Sequence, residues 1–444
     1  MNECISAVAT APGTGGVAII RLSGDNALDI ASKMFNPISN IKVKDFEPYK
    51  MYVGEILGDG FSDNGMCVYF KAPKSFTGED VVEFHCHGGI AITRGILNKT
   101  FLLGARLATN GEYTKRAFLN GKLSLSSCEG LIDMINSESV TQIKSGFYLF
   151  REKLKNSIVD IQYKLTSVLA QIDANIDYPE EGLIEDSGEE IKQKLLEVLP
   201  VISELIESYS SGKIISHGVS VALVGKTNTG KSSLLNYLSG EEKAIVTNIA
   251  GTTRDVVEAS VFINGVKFNL FDTAGIRETD DEVEKIGIVR SNSLINTADI
   301  VLFVTESSKY DENDNILLSK IEGKNVIKVI NKSDIHGEKI STENTIAISC
   351  KTGKNIDILR EMLFKLGANN VNTDGEYITQ QRHYFALKEA YCALKCAIDS
   401  IGIMPIDLVS SDIKDCWDKL GEITGTTASE DIINEIFARF CVGK

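Results

Sequence analysis

Residues 219–238 read VSVALVGKTNTGKSSLLNYL, and this stretch decides the fold of the central part of the chain. The apolar run VSVALV predicts a buried strand, and SSLLNYL begins a helical pattern. Between them, GKTNTGKS (225–232) matches the glycine-rich loop that cradles phosphates at the start of a helix. Lys231 is expected to reach the β and γ oxygens of a nucleotide, and the Ser232 hydroxyl to bind Mg²⁺. The stretch therefore predicts a P-loop domain that binds a nucleoside triphosphate.

Further strand-like runs surround this loop and predict an α/β sheet. They are VVEASVFI, VKFNLFD, ADIVLFV, NVIKVIN and TIAIS. Asn264-Gly265 lies between the first two and is a strong two-residue hairpin signal, so one edge of the sheet is expected to be antiparallel. The predicted Ras-like P-loop domain spans residues 216–370.

Two motifs that follow later strands indicate which base is bound. NKSD (331–334) comes after VIKVI, and its Asp334 carboxylate can accept two hydrogen bonds from the Watson–Crick edge of guanine. Adenine offers no matching pair of donors, and leaving a buried carboxylate unpaired costs on the order of a few kcal/mol. The site is therefore expected to bind GTP and reject ATP. SCK (349–351) stands where a backbone N–H can meet the guanine O6.

Two loops are expected to approach the γ-phosphate. DTAG (272–275) closes the strand KFNLF, which places Asp272 at a strand end beside the Mg²⁺ shell. The polar loop TNIAGTTRD (247–255) offers Thr253 as a Mg²⁺ ligand. Isoleucine follows DTAG, where Ras-like proteins carry the glutamine that orients the attacking water. Another group is needed for that role, and Glu284 is the candidate, although a solvated helix face remains the alternative.

These motifs together predict a GTP-hydrolysing site. Its catalytic residues are expected to be Lys231, Thr253 and Glu284, and its Mg²⁺ ligands Ser232 and Thr253. Its GTP-binding residues are expected to be Asn228, Thr229, Gly230, Lys231, Ser232, Ser233, Thr247, Asn248, Ile249, Ala250, Gly251, Thr252, Thr253, Asp272, Thr273, Ala274, Gly275, Asn331, Lys332, Ser333, Asp334, Ser349, Cys350 and Lys351.

The rest of the chain shows two other patterns. Residues 1–118 mix short apolar runs with glycine-rich turns, which indicates an α+β domain. From about residue 126, apolar residues recur at three- and four-residue steps, as in long amphipathic helices, and this pattern returns after residue 376. The P-loop domain is therefore expected to be inserted into a discontinuous helical domain, whose parts are residues 119–215 and 371–444. The expected fold class is multidomain, with α/β and α parts.

The second long helix of that domain carries two local signals. Ser187 with Glu190 is a capping-box pattern, which predicts a helix start after the break at Tyr178-Pro179. Pro200 lies inside the apolar periodicity that follows. Because proline removes a backbone hydrogen bond, it is expected to kink or end this helix.

The composition of the 444-residue chain limits its function. The net charge of −15 argues against wholesale binding of nucleic acid, so any RNA contact is expected to be local. Neither a signal pattern nor a run of about 18 apolar residues occurs, which predicts a cytoplasmic protein without a membrane span. The nine cysteines lack framework spacing and suit reduced thiols. HCH (85–87) and the pair Cys392 and Cys396 have no second ligand pair at zinc-site spacing, so no metal role is expected for them.

The sequence resembles the MnmE (TrmE) family of bacterial tRNA modification GTPases. The resemblance rests on GKTNTGKSSLLN, TNIAGTTRD, DTAGIRETDDEVEKIG and NKSD in the centre of the chain. It extends to APGTGGVAIIRLSG, SFTGEDVVEFHCHGG and GEYTKRAFLNGKL in the first 122 residues and to FARFCVGK at the end. Thr227, Asn248, Cys350 and Val442 depart from the family's usual proline, aspartate, alanine and isoleucine. None of these departures removes a ligand, although Asn248 removes a negative charge near the cation sites.

The resemblance implies a three-domain homodimer that acts on tRNA with an FAD-dependent, MnmG-type partner. The pair would add an aminomethyl or carboxymethylaminomethyl group to carbon 5 of the wobble uridine. Residues 1–118 would dimerise and bind a 5-formyl-tetrahydrofolate-type donor of one carbon. Folate contacts would fall on Arg21, Glu83, Lys122 and Lys444, and a functional thiol on Cys441.

The resemblance also implies that a potassium ion supplies the positive charge that an arginine finger brings to Ras-like sites. Pairing of two GTPase domains would order the loop that holds the ion. Arg254 and Arg277, which flank the two switch motifs, are the alternative source of charge. The potassium ligands would be Asn228, Thr247, Ile249 and Thr252.

Two alternatives from other functional classes stay open. A regulatory GTPase in ribosome assembly would share every central motif, but it should carry a basic RNA-binding stretch that this sequence does not have. A folate-dependent transferase with a purely structural GTPase domain should show damaged nucleotide motifs, and here they are intact.

Overall fold

The chain folds into two compact units, each assembled from separated segments. The first unit contains residues 1–132, 148–198 and 389–444, and the second contains residues 133–147 and 199–388. The computed structural model describes residues 3–177, 184–240, 259–272, 294–337, 341–369, 371–372 and 375–444. The expected domain boundaries at residues 118, 215 and 370 stay predictions.

The first unit is built on a seven-stranded sheet that confirms the α+β prediction. Its strands are β1 (Ile5–Val8), β2 (Gly15–Ser23), β3 (Phe35–Pro37), β4 (Met51–Leu57), β5 (Ser62–Phe70), β6 (Val81–Gly88) and β7 (Arg106–Leu107). Their order is β3-β4-β5-β6-β2-β1-β7, and every neighbouring pair is antiparallel except β1 with β7. Burial alternates along β4 with the period of two that a half-buried strand requires.

Helices complete the first unit and also lead into the second. Those of the first unit are α1 (Ala27–Ser32), α2 (Ile90–Leu102), α3 (Glu112–Leu119), α6 (Lys153–Asp177), α13 (Ile406–Thr424) and α14 (Glu430–Ala438), with a short 3₁₀ helix at Val43–Asp45. Those with residues in both units are α4 (Leu125–Asn136), α5 (Val140–Phe150), α7 (Ile184–His217) and α12 (Gln381–Ser400). Helix α6 packs against α13, and most of its predicted apolar stripe is buried, including Leu154, Ile158 and Leu165.

Helix α7 begins before the expected N-cap and does not end at Pro200, while a kink at this proline stays a prediction. It already includes Ser187, so this residue is not the N-cap, and it continues through Pro200 to His217. Apolar residues on both sides of the proline are buried, and each contributes about 1.5–3 kcal/mol, which outweighs a proline penalty of about 3 kcal/mol. These residues are Ile191, Leu195, Val198 and Ile202.

The second unit contains the α/β sheet and the P-loop. Its strands are β8 (Val219–Val224), β9 (Ala259–Ile263), β10 (Val266–Asp272), β11 (Ile300–Thr305), β12 (Val326–Ile330), β13 (Ser341–Thr342) and β14 (Thr345–Ala347). Its own helices are α8 (Lys231–Gly240), α9 (Glu312–Lys320), α10 (Ser333–His336) and α11 (Ile356–Ala368).

The sheet of the second unit has the order β13-β14-β12-β11-β8-β10-β9. Its middle strands are parallel and buried, while β9 pairs with β10 in an antiparallel hairpin, as predicted. Asn264 and Gly265 have φ values of 51° and 80°, the left-handed conformations that this type of turn requires. The antiparallel pair of β13 and β14 at the other edge was not predicted, because a two-residue strand is too short to show a pattern.

Three further observations bear on chemistry. All nine cysteines are free thiols. Among the residues whose structure is described, no cluster of three His, Cys, Asp or Glu side chains has an arrangement that would hold a metal ion. Within the same ranges, no helix has both the length and the apolar character needed to cross a membrane.

A buried ion network joins helix α3 to the sheet of the first unit. The Glu112 carboxylate accepts hydrogen bonds from Arg106 at 2.6 and 2.7 Å and from Arg116 at 2.9 Å. Arg116 also donates to Glu79 at 2.9 Å. Burial by itself raises the pKa of Glu112, but the bonds from Arg106, the Thr109 amide and Arg116 outweigh it and lower the pKa to about 2. Glu112 is therefore ionised throughout the neutral range.

We predict that Glu112→Gln destabilises the protein at neutral pH by roughly 1.5–3 kcal/mol, the range for hydrogen bonds to charged groups. Because the folded pKa is depressed, this contribution is present above the ordinary value of 4.5 and disappears as the pH falls toward about 2. Thermal unfolding midpoints are measured from pH 7 to pH 2. The difference in midpoint between the variant and wild type should shrink as the pH falls from 4.5 toward about 2.

The matched control is Glu435→Gln, which breaks an exposed pair with Arg439 whose side chains are 70% and 61% accessible. An exposed pair of this kind contributes about 0–1 kcal/mol. A gap between Glu112→Gln and wild type that is as small as the control's would contradict the prediction.

Candidate functional site

The P-loop joins β8 to α8 at the carboxyl end of β8, which lies between β11 and β10 in the second sheet. Lys231 begins α8 and is buried, and its ammonium donates to the carbonyl oxygens of Gly225 at 2.8 Å and Lys226 at 2.6 Å. Burial lowers the pKa of Lys231, and the charge of Asp272 opposes that change. The loop thus holds its phosphate-binding lysine in place.

Ser232 and Asp272 lie together, as the motifs predict. Strands β8 and β10 are parallel neighbours, and Asp272 pairs with Leu223. The carboxyl ends of the two strands therefore lie at the same edge of the sheet. The Ser232 hydroxyl donates to Asp272 Oδ2 at 3.1 Å. Hydroxyl and carboxylate oxygens are the ligands that Mg²⁺ prefers, so this pair fits a magnesium shell.

The buried amide of Asn331 connects three loops. Its Nδ2 donates to the Thr229 carbonyl of the P-loop at 3.1 Å. Its Oδ1 accepts from the backbone N–H of Lys332 at 2.8 Å and of Cys350 at 3.4 Å. The Lys332 ammonium reaches the Asn228 carbonyl at 3.1 Å. The phosphate loop and the two base loops are therefore one connected structure.

The base loops are held to each other as well. Ser349 Oγ donates to Asp334 Oδ1 at 2.7 Å, which fixes a carboxylate that is otherwise exposed. Burial raises the pKa of the Cys350 thiol to about 11, so this side chain is neutral beside the position expected for the guanine O6. A fixed carboxylate next to a neutral thiol suits the donor-rich edge of guanine.

The described part of the chain contains about half of the predicted nucleotide site. Asn228, Thr229, Gly230, Lys231, Ser232, Asp272, Asn331, Lys332, Asp334, Ser349 and Cys350 lie around the P-loop or in the loops bonded to it. Ser333 is buried beneath its loop, and Ser233 and Lys351 are exposed. Thr247, Asn248, Ile249, Ala250, Gly251, Thr252, Thr253, Thr273, Ala274, Gly275 and Glu284 lie outside the described residues.

Two of the predicted folate residues contact each other in the first unit. Arg21 on β2 pairs with Glu83 on β6 at 2.7 Å, and His85 lies 3.5 Å from the same carboxylate. Burial by itself raises the pKa of Glu83, but the His85 bond and the Arg21 charge outweigh it and lower the pKa. The Arg21 guanidinium lies 5.6 Å from the centre of the buried Tyr113 ring. Sequence reasoning gave no role to this tyrosine or to His85.

The carboxyl-terminal tail lies against residues 110 and 111 and approaches β1, the strand that pairs with β2. The Cys441 carbonyl accepts from the Gly111 N–H at 3.4 Å, and Val442 forms a bridge with Asn110. Gly443 has φ of 100°, and a Cβ there would lie 2.2 Å from the Val8 carbonyl, so only glycine fits. Strand β1, which contains Val8, pairs with β2 so that Ala7 faces Arg21. The end of the chain thus returns to its beginning.

Lys122, another of the predicted folate residues, has a different neighbourhood. The Lys122 ammonium donates to the Pro73 carbonyl at 3.2 Å. Within the described ranges, no contact joins Lys122 to Arg21 or Glu83, so these three side chains form two groups rather than one.

Sequence reasoning also missed three ion pairs beside the P-loop. Lys226 bonds to Asp311 and Asp314, and Lys332 bonds to Glu306. The pattern DEND (311–314) at the start of a helical run was the available signal, since acidic residues three apart often cap a helix.

Comparison with known proteins agrees with this geometry. The family model described as "GTP-binding protein TrmE N-terminus" matches residues 4–122, and the model described as "MnmE helical domain" matches residues 125–441. Relatives named tRNA modification GTPase MnmE occur in Acetivibrio thermocellus and Clostridioides difficile. The first is 40% identical over 459 residues, which cover 100% of this chain and 99% of the relative. The second is 38% identical over 459 residues, which cover 100% of both chains. A third, from Streptococcus mutans, is 40% identical over 453 residues, covering 100% of this chain and 99% of that relative. The chain belongs to the MnmE (TrmE) family of tRNA modification GTPases.

Proposed function

We propose that this chain uses GTP hydrolysis to drive modification of carbon 5 of the wobble uridine in tRNA, with a folate-bound one-carbon unit as donor. The observation that best supports the donor site is the tail, which lies against Asn110 and Gly111 and approaches β1, the strand next to Arg21 on β2. The first unit then binds the donor and the second unit binds GTP. An FAD-dependent, MnmG-type protein is the proposed partner in the transfer chemistry, and the active form is a homodimer that acts in the cytoplasm.

In the proposed GTP site, Lys231 and the amides at the start of α8 bind the β and γ phosphates. Ser232, Asp272 and Thr253 hold Mg²⁺, which neutralises phosphate charge when bound. Asp334 selects guanine, and Glu284 orients the attacking water in place of the glutamine of Ras-like proteins. Lys231, Ser232 and Asp272 are already held by hydrogen bonds, and groups fixed in this way lower the cost of reaching the transition state.

Asn228 supports a proposed potassium site. It has φ of 63°, a left-handed conformation that asparagine tolerates, and its carbonyl is held by Lys332. Its side-chain amide oxygen is a neutral ligand that suits a large monovalent cation. Thr247, Ile249 and Thr252 complete the proposed ligand set, and pairing of two GTPase domains orders their loop. The cation supplies positive charge where an arginine finger acts in other GTPases.

The chemistry of the Arg21 region supports the proposed folate site. A folate combines an anionic glutamate tail with a pterin ring whose amino edge donates hydrogen bonds. Arg21, Lys122 and Lys444 suit the anion, and the ionised Glu83 suits the amino edge. Cys441 is exposed in the tail, where its thiol is accessible to the transfer chemistry.

We predict that Asp334→Asn weakens GTP binding by about 10²-fold or more, because an amide presents a donor to the donor edge of guanine. Titration of a fluorescent GTP analogue measures the dissociation constant. The control is Asp357→Asn on α11, whose side chain is 94% accessible, and its affinity should be that of wild type. Equal affinities for Asp334→Asn and the control would remove Asp334 from base recognition.

We predict that GTP turnover falls by about tenfold or more when Na⁺ replaces K⁺ at constant ionic strength, since the charge of an arginine finger is worth about 10³–10⁵ in rate. Asn228→Ala should be slow in both salts. The control is Asn236→Ala at an exposed position on α8, and its GTP turnover should still be faster in K⁺ than in Na⁺. Wild-type rates that are equal in Na⁺ and K⁺ would end the potassium proposal.

We predict that deletion of residues 441–444 abolishes wobble-uridine modification and leaves GTP turnover within about twofold, because the tail belongs to the first unit. Nucleoside analysis of tRNA from cells that carry only this variant measures the first effect. Binding of 5-formyl-tetrahydrofolate to the purified full-length variant should weaken in parallel. Arg439→Ala, an exposed change just before the tail, is the control. Normal wobble nucleosides in the deletion strain would overturn the role of the tail.

A further inference from the structure

The side chain of Lys226, the second residue of the P-loop, has no role in the site described above, yet it is firmly held. Its ammonium bonds to the carboxylates of Asp311 and Asp314, the latter at 2.9 Å. These two bonds raise the pKa of Lys226, with Asp311 the larger cause, so the side chain is an ammonium at neutral pH. The partners stand 85 and 88 residues further along the chain.

The two aspartates form a rigid acceptor because they cap helix α9. Asp311 Oδ1 accepts from the Asp314 N–H at 3.0 Å, and Asp314 Oδ2 accepts from the Asp311 N–H at 3.2 Å, which is a reciprocal capping box. The Asp314 side chain is only 8% accessible. An ammonium bound to such a pair has a fixed position relative to the sheet.

The other end of Lys226, its backbone carbonyl, holds the phosphate-binding lysine. It accepts from Lys231 Nζ at 2.6 Å and from Thr229 Oγ1 at 2.9 Å. One residue therefore connects the α9 capping box to the ammonium that meets the nucleotide phosphates. Movement of Lys226 would move the acceptor of Lys231 with it.

We propose that Lys226 is a positioning residue for GTP and GDP binding, which Asp311 and Asp314 hold so that its carbonyl fixes Lys231 before the nucleotide arrives. This inference rests on the GTP site alone and is independent of the folate and potassium proposals. The competing interpretation is that Lys226 leaves the aspartates and contacts the phosphates directly. The two interpretations make different predictions for Asp311 and Asp314. The positioning role requires both carboxylates, whereas a direct contact between Lys226 and the phosphates does not.

The test compares Lys226→Ala, Lys226→Arg and the double variant Asp311→Asn with Asp314→Asn in the full-length chain. Dissociation constants for GDP and GTP come from titrations of fluorescent analogues. Lys226→Ala and the double variant should each weaken both nucleotides by the same factor, roughly three- to tenfold, as expected for losing charge-assisted bonds. Lys226→Arg should restore binding, because a guanidinium can bond to both carboxylates. Lys309→Ala, which removes a lysine of the β11–α9 connection, is the control and should bind as wild type does.

Adding Lys226→Ala to the aspartate variants should cause no further loss, because both changes break the same connection. Wild-type affinity in Lys226→Ala would overturn the proposal. Full affinity in the double aspartate variant, together with weak binding by Lys226→Ala, would show a direct phosphate contact instead and would also overturn it. Because Asp314 caps α9, thermal melting of each variant is measured first. If the double variant melts at a lower temperature than wild type, a double-mutant cycle of Lys226→Ala with Asp311→Asn is measured instead. Additive losses of nucleotide affinity in that cycle would contradict the proposal.

Discussion

The buried side-chain amide of Asn331 is the interaction on which the nucleotide site depends. It links loops that follow three different strands, β8, β12 and β14, and each link is a hydrogen bond to the backbone. The loops can meet because these strands are parallel and leave the sheet at one edge, where α/β folds bind their ligands. Together with the bonds from Lys332 to Asn228 and from Ser349 to Asp334, this amide holds the phosphate loop and the two base loops as one structure.

A second regularity concerns the carbonyl oxygens of the P-loop. Those of residues 225, 226, 228 and 229 all accept hydrogen bonds from side chains, three of which are from lysine ammonium groups. Carbonyl oxygens repel phosphate, so pairing them with cations removes that repulsion and leaves the backbone N–H groups for the ligand. Side chains of the protein therefore hold the P-loop through its carbonyl oxygens, and the loop binds phosphate through its backbone N–H groups.

The first unit applies a comparable constraint over a longer stretch of chain. Its carboxyl-terminal tail pairs with residues 110 and 111 and approaches Val8 so closely that Gly443 cannot carry a side chain. Closing a loop of this length costs little more free energy than closing a shorter one, because the entropic cost of loop closure grows only with the logarithm of loop length. Bringing the two ends of the chain together therefore costs little additional conformational entropy.

The sequence by itself determined the features that depend on neighbours a few residues apart. It predicted the β8–α8 P-loop, the hairpin at Asn264-Gly265, the buried stripe of α6 and the guanine-type motif around Asp334. It was wrong about a helix start at Ser187, and the helix does not end at Pro200, because burial along α7 outweighs the local signals. Only the tertiary structure decided the pairing of Arg21 with Glu83, 62 residues apart, and of Lys226 with Asp311, 85 residues apart. Such contacts depend on which strands become neighbours and in what register, and no pattern that repeats every two or four residues contains that information.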